Sequence, residues 1–175
     1  HHHGWGKMIA CEYLPGRNLT WMSAYANGRL LAAASRERLE YVLPHVSPSG
    51  VTGAPAVSRT VRRADVAKVG ERAVRALDDS PHGVYFVDLK EDAAGRPLVT
   101  EINAGRCGTT VHFYTEAGFN FPWLVVCLAA GLDLGWLPES PHDVVPEDLY
   151  WVRTLDCGPV LVAGTEAFAR YESLP

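Results

Sequence analysis

The sequence predicts an α+β domain built on an antiparallel β-sheet with flanking helices. Three observations support this prediction. Strand patterns occur in pairs joined by short turns, as in β-hairpins. Amphipathic helical patterns lie between these pairs rather than after every strand. The 175 residues, 47% of them apolar and 21% charged, suffice for one domain with a core or for one large piece of a longer enzyme.

The first half of the chain contains one hairpin and one helix. Residues 8–13 form an apolar strand pattern, and a turn follows at 14–18. Asn27 and Gly28 are a strong two-residue hairpin signal between strands predicted at 19–26 and 29–35. The Pro-, Ser- and Gly-rich stretch 44–55 predicts a loop. Apolar residues at helical spacing within 60–77 predict an amphipathic helix.

The second half repeats this organisation. Strands predicted at 84–89 and 98–103 flank a polar turn at 91–96. Asn120 is suited to cap a helix with Pro122 in its first turn, ending near Gly131. A loop at 138–146 precedes strands predicted at 149–155 and 160–163 and a closing helix at 165–171. We therefore divide the chain into a tag or linker remnant at 1–7, a main portion at 8–135, and a strand–helix extension at 136–175 that packs on the same domain.

Composition excludes several classes of function. The 16 basic and 20 acidic residues give a net charge of −4 without a basic stripe, so nucleic acid is not an expected partner. The longest apolar run, at 121–134, is interrupted and too short to span a membrane. Four widely spaced cysteines indicate reduced thiols and a cytoplasmic protein. His1, His2 and His3 resemble the end of a purification tag, and the other histidines lack metal-ligand spacing.

The second predicted hairpin carries acidic residues on one face. A turn at 91–96 would place Asp88 opposite Val99, with Glu101 as its diagonal neighbour. Asn103 lies two residues beyond Glu101 and points to the same face. Two carboxylates and an amide oxygen suit Mg²⁺, which takes its remaining ligands from water and phosphate. A solvated hairpin face with chance acidic residues would show the same pattern, and spacing alone does not separate the two interpretations.

The segment after this hairpin is rich in groups that bind anions. Gly105 and Gly108 allow close backbone approach, Arg106 offers a guanidinium, and Thr109 and Thr110 offer hydroxyls. Such a loop can hold phosphate or carboxylate oxygens. A glycine-rich loop alone is weak evidence, but its attachment to the acidic hairpin strengthens it.

These residues together resemble the ATP-grasp superfamily, which includes biotin carboxylase, the carbamoyl-phosphate synthetase large chain and D-alanine–D-alanine ligase. The upstream Asp88, the Glu-Ile-Asn sequence at 101–103 and the loop after it resemble the family's metal-binding end. The sequence ACEYLPG at 10–16 resembles the hinge strand beside the adenine, and EAGFNFP at 116–122 resembles the start of the helix after the site. About 125 residues, 8–132, fit in order, which implies the C-terminal portion of an ATP-grasp domain.

The resemblance implies roles for individual residues. Asp88, Glu101 and Asn103 would bind one or two Mg²⁺ ions, with Mn²⁺ as a substitute. Arg106 and Arg36 would act in catalysis by facing the γ-phosphate of ATP or the acyl-phosphate formed from it. The residues implied to bind the nucleotide are Glu12, Tyr13, Leu14, Asn18, Gly105, Gly108 and Thr109.

The resemblance also implies a reaction. ATP-grasp ligases use Mg·ATP to activate a carboxylate as an acyl-phosphate, which an amine or similar nucleophile then attacks. The implied partners are a small-molecule carboxylate and amine. The implied enzyme is a C–N ligase of the carboxylate–amine or carbamoyl-phosphate-synthetase-like kind.

The sequence departs from the family pattern in three places. Asn18 stands where many members carry an acidic residue, and Arg106 is the third residue after Asn103 rather than the second. Lys7 is the only lysine before the hinge, whereas the family grips the α- and β-phosphates with upstream lysines. We therefore expect a fragment that is inactive without an N-terminal half.

Two alternatives to the ligase remain. One is a non-catalytic nucleotide- or metabolite-binding module with the same fold, and the other is a structural domain whose hairpin acids are merely surface residues. A homodimer is compatible with the sequence, which does not determine the oligomeric state.

Overall fold

The computed structural model describes residues 10–154, 158–164 and 166. Its strands are β1 (Asn18–Ala26), β2 (Arg29–Tyr41), β3 (Pro55–Val61), β4 (Gly83–Glu91), β5 (Pro97–Ala104), β6 (Leu149–Thr154) and β7 (Gly158–Ala163). The helices are α1 (Ala64–Leu77), α2 (His112–Glu116) and α3 (Phe121–Ala130), with a 3-10 turn at Pro44–Val46. Within these residues the strands form one sheet in the order β5-β4-β1-β2-β3-β6-β7, with every neighbouring pair antiparallel. The predicted α+β class, with an antiparallel sheet and flanking helices, is confirmed.

Helix α1 covers one face of the sheet. Its buried residues Val66, Gly70 and Val74 are spaced by four and form one stripe along the helix. A Cβ atom on Gly70 would lie 2.6 Å from the Trp21 ring, so glycine is required for this close helix–sheet contact. The predicted helix began at residue 60, which is wrong, because Thr60 pairs with Arg36 in the sheet and the helix starts at Ala64.

The shorter helices and the residues around them cover the opposite face. Phe113, Phe121 and Leu124 from this layer pack against Met22 and Phe86 of the sheet. The side chain of Asn120 accepts a hydrogen bond from the Trp123 amide at 2.8 Å and so caps α3. Gly131 ends α3 in the left-handed conformation at φ 63°. Both ends of α3 therefore form as the sequence predicts.

The ends of the described chain differ from the prediction. Residues 10–13, part of the predicted strand at 8–13, pair with no strand among the described residues, and Tyr13 is 82% exposed.

The strands predicted at 149–155 and 160–163 correspond to β6 and β7, and β6 pairs with β3. The remnant at 1–7 lies outside the described residues, as does the helix at 165–171 except for residue 166. No described helix is long and apolar enough to cross a membrane.

Candidate functional site

Five polar side chains form a row across five neighbouring strands. From the β5 edge inward, the residues paired in register are Glu101, Asp88, Thr20, Arg36 and Thr60. Directly paired residues point to the same face of a sheet, so all five project toward the face that α2 and α3 cover. The row places a carboxylate pair at the sheet edge and a guanidinium two strands away.

A β-bulge at Thr100 brings the two carboxylates together. Leu89 pairs with Val99, but Asp88 pairs with Glu101, so Thr100 is an extra residue whose hydroxyl donates to the Asp88 carbonyl oxygen at 3.1 Å. The predicted register, with Asp88 opposite Val99, is therefore wrong. If the pairing continued from Leu89 and Val99 without a bulge, Asp88 would face Thr100 and Glu101 would point to the other side of the sheet.

The row opens into a cavity of about 240 Å³. Seven of the predicted site residues line it, namely Arg36, Asp88, Glu101, Asn103, Arg106, Gly108 and Thr109. Of the other lining residues, the sequence left Arg38 open as a phosphate contact or a solvated charge and placed Cys107 in the loop after the hairpin, whereas nothing in it indicated Gly53, Pro55 or Phe86. Gly53 and Pro55 come from the β2–β3 connection, and only the folded chain brings them here. A larger cavity of about 420 Å³ lies along the outer side of α1 and contains none of the predicted site residues.

Asp88 is the most enclosed acid of the site. Its side chain is 14% exposed, and its Oδ1 accepts a hydrogen bond from the Thr20 hydroxyl at 3.0 Å and lies 3.4 Å from Nη2 of Arg38. Burial raises the pKa of Asp88 above its ordinary value, and the charge of Glu101 adds to this, although Arg38 and Thr20 oppose it. A divalent cation between the two carboxylates would relieve both burial and repulsion, so the donor set fits a cation.

Asn103 and Arg106 restrict how a cation can be held. The Asn103 amide nitrogen donates to Oε1 of Glu101 at 3.0 Å, and Nε of Arg106 donates to the Asn103 amide oxygen at 3.0 Å. Arg106 must therefore release this oxygen before Asn103 can serve as a metal ligand. No group of three or more His, Cys, Asp or Glu suited to a metal occurs among the described residues. Two carboxylates and an amide suit an ion that completes its shell with water and phosphate.

Arg36 is held by the protein rather than exposed in the cavity. It is 2% exposed, and its Nη1 donates to the Thr110 hydroxyl. Its guanidinium carbon lies 5.7, 5.9 and 5.6 Å from the ring centres of Phe86, Phe113 and Tyr114. Burial lowers the pKa of Arg36 from its ordinary value. These contacts fasten the loop at 105–110 to β2.

The loop lies close to the sheet at both of its glycines. Gly105 has a φ of +76°, and its N–H donates to the Val84 carbonyl at 2.9 Å. A Cβ atom on Gly108 would lie 2.7 Å from the Phe86 ring, so the backbone passes directly over that ring. Burial raises the pKa of the Cys107 thiol, which keeps it protonated and weakly nucleophilic.

The remaining predicted nucleotide residues lie outside the cavity lining. Glu12 and Tyr13 are exposed, Leu14 is half-buried, and the Tyr13 ring centre lies 6.0 Å from Nζ of Lys90. Asn18 begins β1, two residues before Thr20 and on the same face. The structure thus brings the predicted metal residues, the arginines and part of the loop together around one cavity. The predicted adenine and ribose residues lie outside that cavity, next to it.

Glu91 fixes the segment that precedes β1. The Gly16 amide donates to the Glu91 carbonyl at 2.9 Å, and a Cβ atom on Gly16 would lie 2.6 Å from the Cβ of Glu91. Nε of Arg17 and Nη1 of Arg63 lie 2.8 and 3.0 Å from the Glu91 carboxylate, which is 3% exposed as a residue. No local sequence pattern marks Glu91, because its partners are far away along the chain.

Comparison with solved structures identifies the fold. No protein-family model and no curated protein matches the sequence. The L-amino acid ligase from Bacillus licheniformis aligns over 79% of this chain and 33% of its own, with a TM-score of 0.58 and 19% identity. N5-carboxyaminoimidazole synthetase from Staphylococcus aureus complexed with ADP aligns over 82% and 36%, with a TM-score of 0.56 and 14% identity. The biotin carboxylase domain of a thermophilic 2-oxoglutarate carboxylase bound to bicarbonate aligns over 80% and 30%, with a TM-score of 0.52 and 13% identity.

These solved structures are ATP-grasp enzymes. The chain has the fold of the C-terminal portion of an ATP-grasp domain, as the sequence resemblance implied, and it spans about a third of the length of the proteins it matches.

Proposed function

We propose that this chain binds Mg·ATP and forms the metal-binding portion of an ATP-grasp ligase. The proposed reaction activates a carboxylate as an acyl-phosphate for attack by an amine or a similar nucleophile. The observation that carries this proposal is the carboxylate pair, Asp88 opposite Glu101, at the mouth of a cavity that also contains guanidinium groups. Adjacent opposite charges of this kind suit a metal–phosphate complex, in which the carboxylates face the cation and the arginines face the anion.

The size of the cavity supports binding of the charged end of a nucleotide. Pockets that enclose a small-molecule ligand measure roughly 300–1,000 Å³. At about 240 Å³, this cavity suits phosphate groups and a cation, and leaves the base and ribose outside it. The adenine would then lie beside Glu12, Tyr13 and Leu14, and the ribose near Asn18.

The residues of this chain have separate tasks in the proposal. Asp88 and Glu101 hold Mg²⁺ or Mn²⁺, which neutralises charge on the transferring phosphoryl group. Asn103 joins them once Arg106 turns from its amide oxygen toward the anion. In the loop, Gly108 and Thr109 are the nucleotide contacts we propose, whereas the Gly105 amide is already bonded to Val84.

One observation favours a second candidate, a nucleotide- or metabolite-binding module without turnover. Both Nε and Nη2 of Arg106 donate to the Asn103 amide oxygen. If this contact persists with ligand bound, Asn103 cannot bind the metal and Arg106 cannot bind the phosphate. The chain would then bind a nucleotide without organising phosphoryl transfer.

The wider features of the protein are proposals of the same kind. Because the matched enzymes are about three times longer, we propose that an additional lysine-bearing segment supplies the grip on the α- and β-phosphates. We also propose a small-molecule carboxylate and amine as substrates, a carboxylate–amine or carbamoyl-phosphate-synthetase-like chemistry, and a cytoplasmic location. A homodimer would be compatible with this scheme.

Calorimetric titration tests nucleotide binding. Mg·ATP is titrated into the wild-type chain, Glu101→Gln and Glu40→Gln, where Glu40 is an exposed residue of β2 outside the cavity. We expect Glu101→Gln to weaken binding by about tenfold or more, because a charged metal ligand is lost, and Glu40→Gln to bind like the wild type. Equal ATP binding in EDTA would show that no metal site operates here.

A second measurement separates the ligase from the binding module. The full-length protein is supplied with Mg·ATP and panels of carboxylates and amines, and phosphate release is followed. Release that requires both substrates supports the ligase. Metal-dependent ATP binding without release supports the module.

A further inference from the structure

Strand β2 carries two arginines on the same face, and their surroundings differ. Arg36 and Arg38 are two residues apart, and both line the cavity. Arg36 is enclosed by aromatic rings and donates to Thr110, so its guanidinium already has a structural task. Moving it toward a ligand would expose a tightly packed core and release the loop at 105–110.

Arg38 is far less constrained. Its side chain is 12% exposed, and among the described residues its polar contact is the ion pair with Asp88, at the long distance of 3.4 Å. Nε is buried without a hydrogen-bond partner in both Arg38 and Arg36, so the two differ in the Thr110 hydrogen bond and the aromatic rings that hold Arg36. The hydroxyl of Ser58 in β3, the residue that pairs with Arg38, also has no hydrogen-bond partner. A guanidinium has five N–H donors, so Arg38 has unused capacity at the cavity wall.

Asp88 is the link between Arg38 and the proposed metal. A cation held by Asp88 and Glu101 competes with Arg38 for the same carboxylate and repels its positive charge. A phosphate bound to that cation offers Arg38 a new acceptor with stronger, charge-assisted hydrogen bonds. Arg106 is less suited to this exchange in the state described, because its donors are already on Asn103.

We propose that Arg38, and not Arg36, binds the γ-phosphate of ATP, and that it exchanges Asp88 for that phosphate when the metal binds. Arg36 is then a positioning residue that holds the loop at 105–110 through Thr110. This inference rests on the proposed function, and it reassigns the role that the sequence resemblance gave to Arg36.

The test compares Arg38→Gln with Arg29→Gln, an exposed arginine at the other end of β2 that serves as the control. Each protein is titrated with Mn²⁺ alone, followed by its electron paramagnetic resonance signal, and then with Mg·ADP and Mg·ATP. Arg38→Gln should bind Mn²⁺ more tightly, because a competing charge is gone. The same variant should bind Mg·ATP about tenfold more weakly, because the γ-phosphate loses its guanidinium, without any loss of Mg·ADP affinity.

The outcomes separate this inference from the proposed function. Weaker binding of Mn²⁺ and both nucleotides would show that Arg38 is only structural, and unchanged ATP binding would show that it does not contact the phosphate. Either result overturns the inference while the wild type still binds Mg·ATP. A wild-type chain without metal-dependent ATP binding overturns the proposed function and this inference with it.

Discussion

Replacement of Gly108 by alanine tests whether the loop at 105–110 depends on a close approach to the sheet. The new Cβ atom would lie 2.7, 2.9 and 3.1 Å from Cε2, Cζ and Cδ2 of Phe86. Phe86 is 8% exposed within the core and cannot move freely, so either the ring or the loop must shift. Overpacking of this kind costs about 1–3 kcal/mol of unfolding free energy.

The matched control is Gly53→Ala. Gly53 lines the same cavity, but a Cβ atom there would meet nothing within 4 Å, and no left-handed φ is required. Urea denaturation should show a lower free energy of unfolding for Gly108→Ala but not for Gly53→Ala. The Gly53→Ala variant can gain about 0.4–1 kcal/mol of stability, because alanine reduces the entropy of the unfolded state. In thermal melts, a domain of this size loses about 2–4 °C for each kcal/mol.

A double variant identifies the contact that causes the loss. Phe86→Leu shortens the side chain and removes the atoms nearest the new methyl group. In a double-mutant cycle, Gly108→Ala and Phe86→Leu should therefore couple favourably by about 0.5–3 kcal/mol. A wild-type free energy of unfolding for Gly108→Ala, or additive effects of the two substitutions, would show that the loop does not pack closely against Phe86.

Two further predictions concern buried carboxylates. Because burial raises the pKa of Asp88, its ionised form opposes folding at neutral pH. Asp88→Asn should therefore raise the melting temperature in EDTA and remove metal-dependent ATP binding. A lower melting temperature of the variant in EDTA would contradict this prediction. Burial also raises the pKa of Glu91, but hydrogen bonds from Arg17 and Arg63 outweigh it and lower the pKa below its ordinary 4.5. The stabilisation of the fold by the ionised Glu91 carboxylate should thus be complete above about pH 4.5 and disappear as the pH falls through the lowered pKa. Glu91→Gln should lower the free energy of unfolding by about 1–3 kcal/mol at pH 7 in urea denaturation, a modest loss because Arg17 is half exposed. If the difference in unfolding free energy between the two proteins does not change with pH, the Glu91 ion pairs do not contribute in this way.

Local signals in the sequence predicted the elements whose conformation neighbouring residues determine. Asn27 and Gly28 both adopt positive φ, at 47° and 82°, and form the predicted turn between β1 and β2. Asn120 caps α3 and Gly131 ends it. In each case the decisive interactions lie within a few residues, so the sequence pattern carries the information.

Elements that depend on distant partners were predicted less well. The segment at 10–13 has the composition of a strand, but composition supplies no partner strand, and the described residues provide none. The helical pattern at 60–77 extends two residues into β3, because apolar spacing cannot show that Thr60 pairs with Arg36. A hydrophobic pattern describes which residues can be buried, whereas pairing depends on residues far away in the chain.

For the candidate site, the sequence by itself determined the residue types: an acid upstream of the Glu-Ile-Asn sequence, followed by a loop of glycine, arginine and threonine. Only the tertiary structure decided the geometry. The bulge at Thr100 puts Glu101 directly opposite Asp88, and the aromatic layer encloses Arg36 while leaving Arg38 at the cavity wall. Register and burial are set by packing between strands and helices, so two arginines that are equivalent in the sequence acquire different chemistry in the fold.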